Sequence, residues 1–336
     1  MGSFVQMGLT VAVTGPTGEI GISAVTALER EPAITKILGM ARRPFDPLTR
    51  GWTKTTYVQG DILDREAVDA LVADADVVVH LAFIVMGSRE ESERVNLQGT
   101  RNVFEATVEA QKASGQPRRL VYTSSVAAYG YHSDNPVPLT EDVPTRGSAE
   151  HYYSAQKSAC EAVLAEITAD SPLDVFVLRP CIVAGPEAPA LADAMPWNQL
   201  PAPMRAVSKV LQKLKPVIPD PGVPLQLVHH DDVAAAIALA AVAPAPPGAY
   251  NIAGNGVVTI SDVARALGGR PVRVPAVAAS AASAAISHLP FVPSLMEWLH
   301  VARASVVMDT TRAQRELGWH PTHTSAEALE SLASAV

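Results

Sequence analysis

Residues 9–21, LTVAVTGPTGEIG, run a β-favouring stretch straight into three glycines, Gly15, Gly18 and Gly21, and then into a segment of helical character from about Glu19. A glycine turn in this position lets the backbone approach a pyrophosphate closely, and the unpaired amides at the helix start, with the positive end of the helix dipole, stabilise its charge. The spacing is G-x-x-G-x-x-G, not the tighter G-x-G-x-x-G. Glycines at such spacing also make ordinary turns. The place of this turn, after the first strand and before the first helix, supplies the phosphate-binding mechanism.

Outward from that turn, short β-rich runs alternate with helical stretches: ITKILGMA (34–41), TTYVQGD (55–61), a helix from about Asp64, ADVVVHLA (75–82), a long helix through NLQGTRNVFEATVEAQKA (96–113), RRLVYTSS (118–125), a helix carrying Tyr153, and LDVFVLRP (173–180). The strands are near-continuous Val, Leu, Ile and Tyr runs, as expected where helices cover both faces of a sheet. The pattern predicts an α/β fold built on a doubly wound parallel sheet. After Gly185 a proline-rich stretch with one helix near Met204 to Leu214 breaks the alternation, which then resumes with LQLVHHDD (225–232), an apolar helix from Val233 and AYNIAG (249–254). An Ala-, Ser- and Pro-rich helical section closes the chain. We therefore expect a dinucleotide-binding domain over 8–185, continued by about 225–255, and a smaller, mostly C-terminal substrate lobe from 186–224 and 256–336.

The 336 residues are 48% hydrophobic and 18% charged, a globular composition, and the net charge of −8 argues against wholesale binding to nucleic acid or an anionic membrane. Two cysteines, Cys160 and Cys181, make no disulfide framework and suit a reducing cytoplasm. The longest apolar run, Val233 to Ala243, is too short to span a bilayer, so a cytoplasmic protein with no membrane partner is expected.

In HYYSAQKSACE (151–161) two tyrosines precede a lysine. A helix turns about 100° per residue, so residues four apart share a face and residues five apart do not. Tyr153 therefore shares a face with Lys157, and Tyr152 does not. An ammonium beside a phenol favours the phenolate and brings its pKa toward neutrality, so Tyr153 and Lys157 can form an acid/base pair. The second strand ends in LGMARRP (38–44), where an acidic residue would hold an adenosine ribose and an arginine can instead grip a 2′-phosphate. With Ala41 followed by Arg42 and Arg43 and no carboxylate, NADP(H) is favoured over NAD(H).

Together TGPTGEIG, GDILD, VVHLA, VNLQGTRNV, VYTSSVAAYG, YSAQK, LRPCIVAGP and LVHHDDVA, in that order, resemble the extended short-chain dehydrogenase/reductase family, also called the NAD-dependent epimerase/dehydratase family. The resemblance covers most of residues 8–255. It implies a Rossmann domain in which Tyr153 is the catalytic acid/base, Lys157 lowers its pKa and holds the nicotinamide ribose, Ser125 binds the substrate oxygen, and Asn96 supports the site. Ser124 is the near neighbour, with a strand-end hydrogen bond as its plain role. For the cofactor the resemblance implies Gly15, Thr17, Gly18, Glu19, Ile20 and Gly21 at the turn, Asp61 and Ile62 beside the adenine, Leu81 and Ala82 along its middle, Lys157, and Pro180 and Ile182 near the nicotinamide. It also implies a homodimer formed through the two long helices.

HHDD (229–232) presents four possible metal ligands. Successive strand side chains point to opposite faces, so the four are not expected to converge, and a strand end with a carboxylate cap on the next helix is expected instead, with no metal site. Arg205, Lys209 and Lys213 fall four apart, as a solvated face or a clamp for an anionic substrate tail. Ala276 to Ile286 with Phe291, Met296, Trp298 and Leu299 reads as lobe core or as the wall of an apolar pocket.

Family members acting on nucleotide-sugars usually carry an arginine just before the HHDD equivalent, where this chain has Leu225 and Gln226, and an asparagine near the LRP stretch, which is missing here; dehydratases place Asp-Glu beside the serine, where this chain has SSVA. These departures favour an NAD(P)-dependent ketoreductase or alcohol dehydrogenase acting on a small or moderately apolar carbonyl or alcohol compound. The alternatives are a nucleotide-sugar 4-epimerase and, in another class, a non-catalytic dinucleotide-sensing protein, which would typically have lost the Tyr153/Lys157 pair.

Overall fold

The structure, a computed structural model, describes residues 8–85, 89–195, 217–274 and 305–336. The expected helix near Met204 to Leu214 and the apolar stretch from Ala276 to Leu299 lie outside the described residues.

The first strand, β1 (Leu9–Thr14), is followed at once by helix α1 (Glu19–Arg30), then β2 (Ile34–Ala41), β3 (Thr55–Gln59), α2 (Arg65–Val72) and β4 (Val77–His80). A short helix α3 (Arg89–Glu93) and a π-helical turn (Arg94–Gly99) lead into α4 (Thr100–Ser114), β5 (Arg119–Thr123), α5 (Tyr152–Thr168) and β6 (Asp174–Pro180). Strand β7 (Ile182–Ala184), helix α6 (Ala190–Asp193), strands β8 (Val217–Asp220), β9 (Pro224–Leu225) and β10 (Leu227–His229), helix α7 (His230–Val242) and strand β11 (Gly248–Ile252) follow. The chain continues through β12 (Val258–Thr259), α8 (Ile260–Ala266) and β13 (Arg270–Arg273), and ends in α9 (Ser325–Ala335).

Seven strands form one sheet in the order β11-β6-β5-β4-β1-β2-β3, all neighbours parallel. The strand order reverses between β1 and β4, and in such open sheets a crevice opens there at the carboxyl ends of the strands. Strand periodicity splits the core in two: Val11 and Val13 join a cluster with Val25, Leu28, Val233 and Ile237, while Ala12 faces the opposite cluster with Val78, Val103, Phe104 and Leu164. Each fully buried Val, Leu, Ile or Phe side chain among them stabilises the fold by roughly 1.5–3 kcal/mol.

Two expectations change. LQLVHHDD does not rejoin the main sheet: β10 pairs with β7 in a separate two-stranded unit, and the large sheet resumes only at β11. The reason is that β7, directly after β6, peels away from the sheet and offers β10 its edge, while α7 packs back against α1. The helix expected from Asn96 begins as a π-turn, which places Asn96 on a locally widened backbone of the kind that often accompanies functional sites. A third apolar cluster, with Leu191, Met195, Leu225, Val263, Leu329 and Leu332, joins α6, α8 and α9 beyond the carboxyl end of the sheet.

Candidate active site

The glycine turn has the geometry its position requires. Gly15 adopts φ 74°, where a side chain would be strained, and a Cβ there would lie 2.8 Å from Ala82 backbone atoms. At Gly21 a Cβ would lie 2.1 Å from the Gly15 carbonyl oxygen, so this glycine is needed for α1 to approach the turn. Gly18 differs: it caps α1 at an ordinary φ of −79°, no side chain caps the helix, and a Cβ would only touch the Gly15 oxygen at 3.5 Å. The protein itself has room for a side chain at Gly18. Its absence leaves an open cradle over the uncapped amides of α1, which fits a pyrophosphate.

This cradle opens into a cavity of about 370 Å³ lined by Gly15, Thr17, Gly18, Arg42, Arg43, Phe45, Asp61, Ile62, Leu81 and Ala82. The structure thus gathers most of the expected cofactor residues around one space at the strand reversal. Glu19, Ile20 and Gly21 stand behind it. The Glu19 carboxyl accepts from the Ala190 amide, and burial raises its pKa; Ile20 packs on the first core cluster. Pro180 is buried where β6 pairs with β11, and Ile182 packs against the third cluster; neither lines this cavity. Arg42 faces a carboxylate at 3.5 Å from Glu91, with both side chains about half exposed.

Helix α5 brings the other group together. Lys157 is buried, its Nζ donates to the Thr123 carbonyl at 2.9 Å, and burial lowers its pKa from 10.5 to about 8. Tyr153 shares its face, with Nζ 6.0 Å from the phenol ring centroid. Tyr152 points elsewhere and donates to the Val85 carbonyl at 3.1 Å. Ser125 follows the end of β5, buried, and its hydroxyl accepts from the Ala127 amide at 3.2 Å while capping a short 3-10 turn. Ser124, its neighbour, is turned away to the Glu161 carboxylate at 2.5 Å.

Asn96 is fully buried and clamps the loop after β4. Its side chain accepts from Ile84 N at 2.7 Å and donates both to Ile84 O and to Gln156 Oε1 at 2.9 Å. It therefore ties the cavity wall to α5 beside Lys157. Two residues in this group carry no sequence signal: Gln156, and Phe83, whose ring meets Tyr153 edge-on at 5.6 Å and lies 3.6 Å under Lys157 Nζ. Phe83 directly follows Leu81 and Ala82, and only that adjacency could have pointed to it.

A family model described as the NAD dependent epimerase/dehydratase family matches residues 11–253. The chain belongs to that family. Among curated proteins it is similar to an uncharacterized protein of Mycobacterium tuberculosis, 27% identical over 327 residues, covering 95% of this chain and 82% of that one. It is also similar to 3 beta-hydroxysteroid dehydrogenase type 7 of Homo sapiens, 33% identical over 193 residues, covering 53% of this chain and 51% of that protein. Among solved structures it shares its fold with UDP-glucose 4-epimerase of Thermotoga maritima in complex with UDP-glucose, at TM-score 0.70 and 19% identity over 97% of this chain and 98% of that one. MoeE5 in complex with UDP-glucuronic acid and NAD superposes at TM-score 0.71 and 23% identity over 98% of each chain.

In this family member the HHDD stretch departs from the alternation argument. The strand ends at His229 and α7 begins at His230, so period two gives way to a helical turn and His229, His230 and Asp231 come within 4.8 Å of one another. The imidazole nitrogens nearest Asp231 are already engaged: His229 Nδ1 accepts from Asp231 N at 3.2 Å, and His230 Nδ1 pairs with Ser23 Oγ at 2.8 Å. The helix cap is the His229 side chain, not a carboxylate. Asp232 instead binds the C-terminal segment, accepting from Thr322 N at 2.9 Å and His323 N at 3.1 Å. No helix among the described residues is long and apolar enough to cross a membrane.

Proposed function

We propose that this chain is a nicotinamide-dinucleotide-dependent oxidoreductase that interconverts a small or moderately apolar secondary alcohol and its ketone, with Tyr153 as acid/base. The observation that carries the substrate choice is the buried, uncharged pair Leu225 and Gln226. Just before the HHDD stretch, where nucleotide-sugar members usually carry an arginine for the diphosphate, Leu225 is buried in the third apolar cluster, and the Gln226 side chain is buried and locked onto the backbone of Met308, accepting from Met308 N at 2.7 Å and donating to Met308 O at 3.4 Å. A neutral amide committed in this way offers no charge to a diphosphate. The similarity to a hydroxysteroid dehydrogenase points to the same substrate class.

The cradle at Gly18 and the cavity from Arg42 to Ala82 fit a dinucleotide, which supplies the hydride chemistry when bound. The chain's own residues handle the proton and the oxygen. The Ser125 hydroxyl holds the substrate oxygen, and the Tyr153 hydroxyl gives it a proton in reduction or takes one in oxidation. The Lys157 ammonium favours the phenolate form of Tyr153. Phe83 keeps water from that ammonium, and Asn96 with Gln156 fixes the first turns of α5. Arg42 and Arg43, beside a strand end without a carboxylate, favour NADP(H) through the 2′-phosphate.

The test is mass spectrometry of small molecules released on denaturing the purified protein, joined to NADPH and NADH titrations and a panel of apolar ketones and alcohols. Tighter NADPH binding and cofactor oxidation with a ketone are expected. Tightly retained NAD, with turnover of a UDP-sugar and no net cofactor oxidation, would replace this reading with the epimerase.

A further inference from the structure

Residues 124–129 carry Ser125, and both ends of this segment are tied to one buried ion pair. Glu161 and Arg179 are each 8% exposed at the side chain and bind through two contacts, Arg179 Nη2 to Glu161 Oε2 at 2.6 Å and Arg179 Nε to Glu161 Oε1 at 3.0 Å. At one end of the segment Ser124 Oγ donates to Glu161 Oε1 at 2.5 Å. At the other end Arg179 Nη1 donates to Tyr129 Oη at 2.8 Å, and Tyr129 Oη donates on to Asn251 Oδ1 at 2.7 Å. Tyr129 closes the short helical turn that Ser125 caps.

The same pair fixes the segment relative to the acid/base face. Tyr153, Lys157 and Glu161 are spaced four apart on α5 and so lie along one stripe. Lys157 binds the carbonyl of Thr123, and Glu161, one turn on, binds the hydroxyl of Ser124. Successive turns of α5 thus pin successive residues at the end of β5, and Ser125 is the next residue.

We propose that Glu161 and Arg179 are positioning residues that hold the Ser125 hydroxyl in register with Tyr153, acting through Ser124 and Tyr129 and touching neither substrate nor cofactor. This deepens the reading given under Proposed function and rests on the roles assigned there to Ser125 and Tyr153. A buried charge pair suits the task because its bidentate geometry fixes both distance and orientation, which a single neutral hydrogen bond does not. The carboxylate also adds to the field that favours the Lys157 ammonium.

The experiment compares Ser124→Ala and Glu161→Gln with the full wild-type chain, measuring melting temperature, NADPH affinity, and kcat and KM from pH 6 to 10 with a ketone that the wild type reduces. Displacing a reacting group by about 1 Å costs roughly 10- to 100-fold in rate. A kcat loss on that order is expected in Ser124→Ala, with NADPH affinity and KM nearly unchanged. Glu161→Gln should lose kcat similarly and move the alkaline limb of the profile to lower pH, because Lys157 loses an anionic neighbour. If Glu161→Gln does not fold, Ser124→Ala alone decides. Wild-type rates and pH profiles in folded variants would overturn the positioning role while leaving the oxidoreductase reading intact. A wild type that transfers no hydride to any ketone would overturn both.

Discussion

The Lys157 ammonium lies 3.6 Å from the centroid of the Phe83 ring, and the same ring meets Tyr153 edge-on. An aromatic face attracts a desolvated cation by about 0.5–2 kcal/mol, so Phe83 stabilises the charged form of a lysine that burial otherwise disfavours. Phe83→Leu keeps the bulk and removes the attraction. Its pKa should fall further below about 8, moving the alkaline limb of kcat down by roughly 0.5 to 1.5 pH units. A profile superposable on that of the wild type would refute the role of the ring.

The two tyrosines separate cleanly. Tyr153→Phe should abolish turnover and leave cofactor affinity nearly intact. Tyr152→Phe loses the exposed hydrogen bond to the Val85 carbonyl and should cost less than about 1 kcal/mol in stability and little in rate. Initial rates with the best ketone check both, and full activity in Tyr153→Phe would end the proposed mechanism.

The turn glycines differ in what they serve. Gly18→Ala places its methyl in ordinary van der Waals contact with the Gly15 carbonyl oxygen at a permitted φ, so stability should stay within about 1 kcal/mol while NADPH affinity drops roughly tenfold or more. Gly21→Ala drives a methyl into the Gly15 carbonyl and should lose about 1–3 kcal/mol of fold stability instead. Chemical denaturation and cofactor titration on both variants separate the two effects.

Arg42 is shared between Glu91 and the cavity, at the end proposed for the adenosine. Arg42→Ala should weaken NADPH binding more than NADH binding. Glu91→Gln removes the competing carboxylate of an exposed pair worth at most about 1 kcal/mol, so NADPH affinity should rise by up to about fivefold with NADH unchanged. Equal changes for the two cofactors would rule out 2′-phosphate recognition by Arg42.

Lys157 also predicts a stability trade. Its folded pKa of about 8 lies below its ordinary 10.5, so the folded state holds this proton less tightly than the unfolded chain does. The penalty is on the order of 3 kcal/mol below pH 8 and is relieved as pH rises from about 8 toward 10.5. Lys157→Met, even after losing the bond to Thr123, should be more stable than the wild type at pH 7 by about 1–2 kcal/mol, and the gap should narrow by pH 9.5. Denaturation midpoints of the cofactor-free protein at both pH values check the sign. A gap that widens with pH would contradict it.

What the sequence determined alone was whatever local periodicity and short-range geometry control. The strand, glycine turn and helix over 9–30, the βα alternation to Pro180, and the shared face of Tyr153 and Lys157 follow from periods of two and 3.6 residues and from the small set of turns that glycine permits. Tertiary structure decided what depends on partners far away in the chain. It assigned Ser124 to Glu161 and left Ser125 as the cap, it set Phe83 under Lys157, and it gave β10 to β7 instead of the main sheet. It also drew His229, His230 and Asp231 together where strand passes into helix. Two adjacent serines or two adjacent histidines have the same local propensity, and only the buried charges, edges and rings that meet them on folding make one of the pair different from the other.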